Sequence, residues 1–264
     1  MTALELNPAG SARSARTAGV NRVVMELEIR RLLRNRRTLI FSMAMPVAFF
    51  LLFGMSSSDA VEQAGRGNVS AFVMVSMALY GATLATTGGA AMVSIERASG
   101  WTRQLRLTPI SPAGYVLVKM LTAMTLGLAS VIAVYLAGIV SGKPSMPAYL
   151  WVATGAAVWL GSLVFAAFGL LIGYLLAPEN VMQALSFVLV LCAFGGGLFI
   201  PLDHLSSIWR TVAQFTPLYG VSQVVHAPLG VGWHPLAAIA NVAVWLLVFS
   251  STAMWRFRSD TGRV

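Results

Sequence analysis

Side chains that could perform covalent or metal chemistry are few in this sequence of 264 residues. The single cysteine, Cys192, lies inside an apolar run, so an intrachain disulfide and a cysteine zinc site are both excluded. The three histidines, His204, His226 and His234, lack a zinc-ligand spacing such as HExxH, and we expect them in loops or at a membrane interface. The sequence therefore predicts no metal site.

Catalytic motifs are also missing. Ser162 and Ser186 fall in apolar stretches, but a serine hydrolase needs a histidine within hydrogen-bond reach, and no histidine is predicted deep in a span. Small residues that let helices pack closely are the better interpretation of these serines. The one Gly-Lys pair, Gly142-Lys143, is followed by Pro144 and does not form a GxxxxGK[ST] phosphate loop. We expect a chain that is not an enzyme and binds no cofactor itself.

The composition limits the class of protein to which the chain can belong. The chain is 57% hydrophobic and 10% charged, with a net charge of +9 and a mean hydropathy of +0.76. A soluble domain has about 25% charged residues, and a disordered chain has few apolar ones, so both classes are excluded. The basic excess then indicates either nucleic-acid binding or the cytoplasmic side of a membrane protein.

Long stretches without charged residues predict membrane-spanning helices, each of which needs about 20 mostly apolar residues. The last uncharged stretch, 211–255, is too long for one span. Pro217, Pro228 and Pro235 divide it, because proline disfavours helix interiors. Its last part forms the sixth span. The predicted spans are 38–56, 69–95, 113–141, 149–176, 181–200 and 235–256.

The charges fall mostly on one side of these six spans. Fifteen of the 18 basic residues precede span one, lie between spans two and three or follow span six. The other side carries three: Arg66, Lys143 and Arg210. The positive-inside rule then places both termini in the cytoplasm. Because the basic residues are explained by this topology, we expect no nucleic-acid partner. The predicted fold class is an all-α membrane protein with six transmembrane helices.

The N-terminal region precedes the single transmembrane domain 38–256 and differs from it in composition. Residues 1–19 predict a disordered tail. Residues 20–37, which Asn21 could cap, predict a basic amphipathic helix lying in the interface plane and contacting membrane lipid. Residues 257–264 form a short cytoplasmic tail.

The cytoplasmic segment 96–112 reads ERASGWTRQLRLTPISP. The apolar residues Trp101, Leu105 and Leu107 can face the membrane or a partner. Arg103 and Arg106 can face acidic groups. Two Pro dipeptides stop the helix and turn the chain back. A docking helix and a basic interfacial loop both fit this pattern. The residues concerned are Trp101, Leu105, Arg103, Arg106, Thr108, Pro109, Ser111 and Pro112.

Two motifs resemble the type-2 permeases of ABC transporters. The first resembles the family pattern E-R-E-x-G-T-L-x-x-L, then T-P and a lysine; it comprises Glu96, Arg97, Gly100, Leu105, Thr108, Pro109, Tyr115 and Lys119. The second resembles G-x-F-x-P followed by N-P-L-x-Y; it comprises Gly197, Phe199, Pro201, Thr216, Pro217, Leu218 and Tyr219. Departures are small: Thr102 follows Trp101, and Thr216 stands where asparagine is frequent.

The resemblance implies a bacterial cytoplasmic-membrane permease that pairs with an identical or sister permease and docks two ATPase subunits, which bind ATP and Mg. The coupling segment would contact the ATPase through Glu96, Arg97, Gly100, Trp101, Arg103, Leu105, Arg106, Thr108 and Pro109. The connecting helix would include Glu26, Arg30 and Arg34. External re-entrant helices at 203–227 would form a gate with Pro201, Trp209, Pro217 and Tyr219.

A path for cargo between two protomers is also implied, lined by spans two and five. Its candidates are Met182, Phe187, Phe194 and Phe199, although lipid or helix packing explains each of them singly. Gly195–Gly197 is either a hinge or a helix end. Gly81, Ala82, Ala85, Gly88 and Gly89 on span two allow close helix approach.

The spans contain no ionisable residue at mid-depth, which argues against an ion-coupled transporter. An apolar path suits hydrophobic or amphipathic cargo, and the chain resembles the daunorubicin and antibiotic-resistance branch. Export of polysaccharide or of a lipid-linked glycan is the alternative. An ion-coupled transporter and a membrane hydrolase are more distant alternatives.

Overall fold

The computed structural model describes residues 25–26, 28–30, 36–55, 60–100, 112–198, 207–231 and 235–262. Within these residues the chain is helical apart from one small hairpin of strands β1 and β2. The strands are Gln63–Ala64 and Gly67–Asn68. The helices are α1 Arg36–Phe49, α2 Val69–Ala91, α3 Val93–Ala98, α4 Pro112–Ser141, α5 Ala148–Gly161, α6 Leu163–Leu175, α7 Pro178–Gly195, α8 Ser207–Gln214, α9 Pro217–His226 and α10 Pro235–Gly262.

Five helical segments are long and apolar enough to cross a membrane, so the predicted class, an all-α membrane protein, is confirmed. Two of them combine neighbouring helices, α2 with α3 and α5 with α6. The apolar part of α1 and the π-helical turn after it, Ser42–Gly54, is shorter than these five. The five segments are Val69–Ala98, Ala113–Ser141, Ala148–Leu175, Pro178–Gly195 and Leu236–Phe257.

Helix α2 lies at the centre of the bundle, packed against α1, α4 and α6. It is buried on every face, including polar residues such as Ser76, Thr86 and Thr87. These side chains avoid the cost of an unpaired polar group by hydrogen bonding. Thr86 and Thr87 donate to carbonyls one turn back, and Thr86 also lies 3.3 Å from the Ser162 carbonyl of the neighbouring span. That carbonyl marks the break between α5 and α6.

Glycines let the other helices approach α2 closely, as the sequence predicted. A Cβ on Gly81 would collide with Ser130 and Pro46, and one on Gly89 would meet Leu126. Gly88 differs, because a Cβ there would meet no atom within 4 Å. The prediction of close approach is therefore confirmed for Gly81 and Gly89 and is wrong for Gly88.

Pro46 lies inside α1 and has no N–H, so the helix cannot pair the carbonyl of Ser42 by its regular bond. The hydroxyl of Ser130 on α4 donates to this carbonyl at 3.4 Å. Close contact with Gly81 brings the proline and Ser130 together on the face of α2. Helices α2 and α4 therefore both contact α1 at its proline.

At one end of the bundle, Asn68 joins the hairpin to the loop between α4 and α5. Its side chain caps α2 by accepting from Ala71 N at 2.9 Å and also accepts from Ser145 N at 2.9 Å. Its amide donates to the Lys143 carbonyl at 2.8 Å. The hairpin residue Arg66 donates its backbone N–H to Leu229, just after α9. We call this the hairpin end.

The three consecutive glycines near the end of the predicted span five lie at the end of α7. The helix ends at Gly195, and Gly197 has φ +74°, a left-handed conformation that terminates helices. Leu198 N donates to Ala193 O and closes the last turn at 3.2 Å. The structure therefore supports the interpretation of these glycines as a helix end.

Candidate functional site

The opposite end of the bundle contains a buried ion cluster, made by Glu28, Glu96 and Lys119. Lys119 Nζ lies 2.6 Å from Glu96 Oε1 and 2.8 Å from Glu28 Oε2. The Tyr115 hydroxyl donates to the second carboxylate oxygen of Glu96 at 2.9 Å. Glu96 is 2% exposed and Lys119 is 5% exposed, so water screens these charges little. We call these three charged residues the ion cluster.

Each member of the ion cluster comes from a different part of the chain. Glu96 is in α3, directly before the segment 101–111; Lys119 lies two turns inside α4, directly after it; and Glu28 is in the N-terminal helical residues. One lysine facing two carboxylates leaves a formal charge of −1 in the cluster. A buried ion pair is costly to break, because removing one partner leaves an unpaired charge in a medium of low polarity. The cluster therefore fixes α3 and α4 relative to the helical residues 25–26 and 28–30, which precede α1 and which we call the N-terminal helix.

Arg97, the neighbour of Glu96, holds the end of α6. Its Nη1 donates to the carbonyls of Gly173 and Tyr174 at 3.2 and 2.7 Å. These carbonyls lie in the last turn of a helix, where a cation also complements the helix dipole. The guanidinium lies 5.7 Å from the ring centroid of Tyr174. Glu96 and Arg97 thus connect α3 to two different spans.

Aromatic stacking adds α10 to this end of the bundle. Phe257 stacks on Tyr115 with ring centroids 5.2 Å apart and meets Tyr174 edge-on at 5.9 Å. The three rings join the ion cluster to the Arg97 contacts. A displacement of α3 would therefore act on α4, α6, α10 and the N-terminal helix together.

The other predicted coupling residues are partly outside the described residues. Gly100 has φ +75°, which favours glycine, and a Cβ there would meet no atom within 4 Å. The residues after it, Trp101, Arg103, Leu105, Arg106, Thr108 and Pro109, lie outside the described residues. Glu26 and Arg30, from the predicted connecting helix, form an exposed i,i+4 ion pair at 2.5 Å. Arg34 lies outside the described residues.

The predicted path residues lie on the outer face of α7. Met182, Phe187 and Phe194 are exposed, whereas Val181 and Leu185 on the same helix pack inward. The exposed and the inward-packed residues lie on different faces of the helix. The path candidates that the structure describes therefore do not line a cavity inside this protomer. Phe199 lies outside the described residues.

The predicted gate residues are spread over the corner between α8 and α9. Trp209 is exposed, Pro217 is half-buried at the start of α9, and Tyr219 is buried. Pro201 lies outside the described residues. The corner rests on α10, where Asn241 donates to Gln214 O and Thr216 O, and Trp245 donates to Phe215 O. Of the three gate residues that the structure describes, Trp209 is exposed and Tyr219 is buried, so these three do not share one surface.

Several functional candidates were not selected from the sequence. Glu28, Tyr174 and Phe257 have no motif, because only packing brings them beside Glu96 and Lys119. His226 was expected in a loop or at an interface, and this is wrong: it lies at the end of α9, 4% exposed. Of the ion cluster, the sequence motif included Glu96 and Lys119 but not Glu28. Among the residues that the structure describes, no group of His, Cys, Asp or Glu could hold a metal.

Comparison with known families agrees with the resemblance that the sequence motifs predicted. Residues 21–229 match the profile of the ABC-2 type transporter family, and this range covers most of the chain. The chain belongs to the ABC-2 type transporter family, as a membrane subunit. A similar protein, named "Putative transport permease YvfS", from Bacillus subtilis (strain 168), is 26% identical over 193 residues, which are 73% of this chain and 78% of that protein.

Proposed function

We propose that this chain is the permease subunit of an ABC exporter that moves hydrophobic or amphipathic small molecules out of a bacterial cell. A separate ATPase, with its own ATP and Mg, powers the movement. The observation that carries the proposal is the ion cluster, because it joins the two sides of the 96–112 segment to the N-terminal helix. A push on that segment would reach four helices at once.

The proposed topology has six crossings with both termini in the cytoplasm. Charge supports it, with 15 basic and 6 acidic residues on one side and 3 of each on the other. The hydrogen bonds support the same division. Asn68 joins the hairpin that bears Arg66 to Lys143 at one end, and the ion cluster gathers Glu28, Glu96 and Lys119 at the opposite end. We therefore assign the ion cluster to the cytoplasmic end and the hairpin to the outer end.

The proposed assembly contains two ATPase subunits and a second permease, identical or a sister chain. The exposed apolar face of α7 supports a pairing of two permeases, since a cargo path between protomers would be lined by such faces. The candidates on it are Met182, Phe187 and Phe194. Beyond Glu179 in the first turn of α7, this face carries no charged residue, which is the reason for proposing a hydrophobic or amphipathic cargo, such as a drug, an antibiotic or a lipid-like molecule.

Reversing Arg103 and Arg106 to glutamate tests the docking segment. We expect the double variant to co-purify with the partner ATPase at a yield reduced by about tenfold, since loss of about 1.4 kcal/mol of binding has that effect. The matched control reverses Arg66 and Lys143, which changes the net charge equally at the hairpin end. Equal ATPase yields from the two double variants would contradict a docking role for the segment.

Transport itself is tested in vesicles that contain the permease with and without the ATPase. We expect ATP-dependent accumulation of a fluorescent lipophilic cation only when both are present and the ATPase has an intact phosphate loop. Accumulation by the permease alone, abolished by a protonophore, would overturn the proposal in favour of an ion-coupled transporter.

A further inference from the structure

His226 is a buried titratable group that the ion cluster and the proposed coupling do not use. It ends α9 near the hairpin end of the bundle, outside the five candidate spans, and contacts α2. Its Nε2 lies 3.0 Å from the hydroxyl of Ser76, and its ring stacks on Phe72 with centroids 4.2 Å apart. Both contacts lie on the central helix. His226 therefore attaches the end of α9 to the most buried helix of the protein.

Hydrogen-bond chemistry indicates which tautomer suits the site. His226 Nδ1 lies 2.8 Å from the backbone carbonyl of Ser222, one turn back in α9. A carbonyl can only accept, so Nδ1 carries the proton and the bare Nε2 accepts from the Ser76 hydroxyl. The neutral imidazole thus satisfies both nitrogens. A second proton would place a positive charge in a fully buried position.

The two ends of α9 are held by different helices. At its start, Asn241 and Trp245 of α10 hold the carbonyls of Thr216 and Phe215. At its end, the ring of His226 is attached to α2 through the Ser76 hydroxyl and the backbone carbonyl of Phe72. The turn after it is held by Leu229, whose carbonyl accepts from Arg66. Loss of the His226 contact would remove the polar attachment of the end of α9 to α2, while the hydrogen bonds at its start would remain.

We propose that His226 is a proton-sensitive latch, whose neutral ring fastens the end of α9 to Ser76 of α2 and whose protonation releases it. The latch responds to the pH of the compartment that the hairpin end faces. The inference rests on the proposed function only in assigning that compartment to the outside of the cell. It makes His226 a positioning residue for the outer helices.

Among the residues that the structure describes, no carboxylate forms an ion pair with His226. Within the described residues, its hydrogen bonds and ring contact involve Ser76, Ser222 and Phe72. By sequence, α8 and α10 also carry Arg210, Arg258 and Asp260, and the hairpin carries Glu62 and Arg66. The titratable or charged residues on α2, α5, α7 and α9 are Tyr80, Tyr149, Glu179, Cys192 and Tyr219, and α10 also carries Arg256.

Burial lowers the pKa of His226 from 6.5, outweighing the hydrogen bonds to the backbone carbonyls of Ser222 and Phe72, which raise it. A lowered pKa in the latched state means that the released state binds the proton more readily. The latch is therefore fully stable above the released-state pKa of about 6.5 and weakens as pH falls below it. At pH 5.5 the released population should rise by about tenfold, which corresponds to about 1.4 kcal/mol.

Alkylation of a buried cysteine measures the release directly. Val225, next to His226 and fully buried, is replaced by cysteine, and Cys192 is replaced by alanine. We expect this Val225→Cys protein, purified in detergent without ATPase, to react with iodoacetamide about tenfold faster at pH 5.5 than at pH 7.5, after correction for thiol ionisation with a free thiol. Adding His226→Gln, which keeps a hydrogen-bonding side chain but does not titrate, should abolish the acceleration.

A second measurement does not depend on the cysteine variant. The apparent Tm of the unmodified protein should fall by about 3–5 °C between pH 7.5 and 5.5 beyond the fall in His226→Gln. Ser76→Ala retains the titrating ring and should keep that pH dependence at a lower Tm. Parallel pH profiles for the unmodified protein and His226→Gln, in both Tm and alkylation, would overturn the latch. Since no ATPase or cargo is present, this result would leave the proposed function standing.

Discussion

Replacement of Lys119 by methionine should destabilise the protein by about 3–5 kcal/mol, because two carboxylates would remain buried without a counter-charge. Methionine has nearly the volume of lysine, so the change removes the charge with little loss of packing. The apparent Tm in detergent should fall by about 10 °C. Lys143→Met is the matched control, since Lys143 is exposed in the loop after α4, and surface changes cost about 0.5 kcal/mol or less.

The ion cluster predicts which second changes restore stability. Glu28→Gln and Glu96→Gln, added together to Lys119→Met, remove the charges that were left unpaired, so most of the lost Tm should return. Stimulation of the ATPase by cargo should not return, because the charged connection between α3, α4 and the N-terminal helix is still absent. A Tm of Lys119→Met equal to that of Lys143→Met would contradict the buried cluster. Recovery of ATPase stimulation in the triple variant would contradict its role in coupling.

The class of fold could be predicted from sequence because hydropathy is a local, additive property. A run such as 113–141 is apolar wherever it packs, and the helix Pro112–Ser141 contains that run. Proline and glycine also act locally: α9 begins at Pro217, and α7 ends at Gly195. Motif spacing then predicted the family, since Glu96 and Thr108-Pro109 are close together in the sequence.

The site depended on tertiary packing that no local pattern contains. Glu96 and Lys119 belong to the sequence motif, but Glu28 does not, and only the packing of three helices makes these residues a cluster. The rotation of a helix is equally hidden when all its faces are apolar. For this reason the sequence did not show that His226 is buried or that Gly88 lies in open space. It also did not show which face of α7, the one with Phe187 or the one with Leu185, packs inward.

Gly169→Ala should be the most damaging single-methyl addition in the bundle. A Cβ on Gly169 in α6 would collide with the backbone carbonyl of Thr87 in α2. A backbone atom in the central helix cannot rotate away, so α6 must shift, at a cost of about 1–3 kcal/mol or more. The apparent Tm should fall by about 2–10 °C. Gly88→Ala is the control, because it gains the same helix propensity in open space and should leave the Tm unchanged or raise it slightly.

A second glycine separates steric overlap from other effects of alanine. A Cβ on Gly127 in α4 would lie 2.5 Å from Cγ2 of Thr86, which is a side-chain atom. Gly127→Ala should therefore be rescued by Thr86→Ser, which removes that methyl group and keeps the hydroxyl that bonds Ala82. Thr87→Ser should not rescue Gly169→Ala, because the colliding atom is a main-chain oxygen that serine retains. Rescue of both variants, or of neither, would contradict the close packing of α4 and α6 on α2, since each collision involves a different kind of atom.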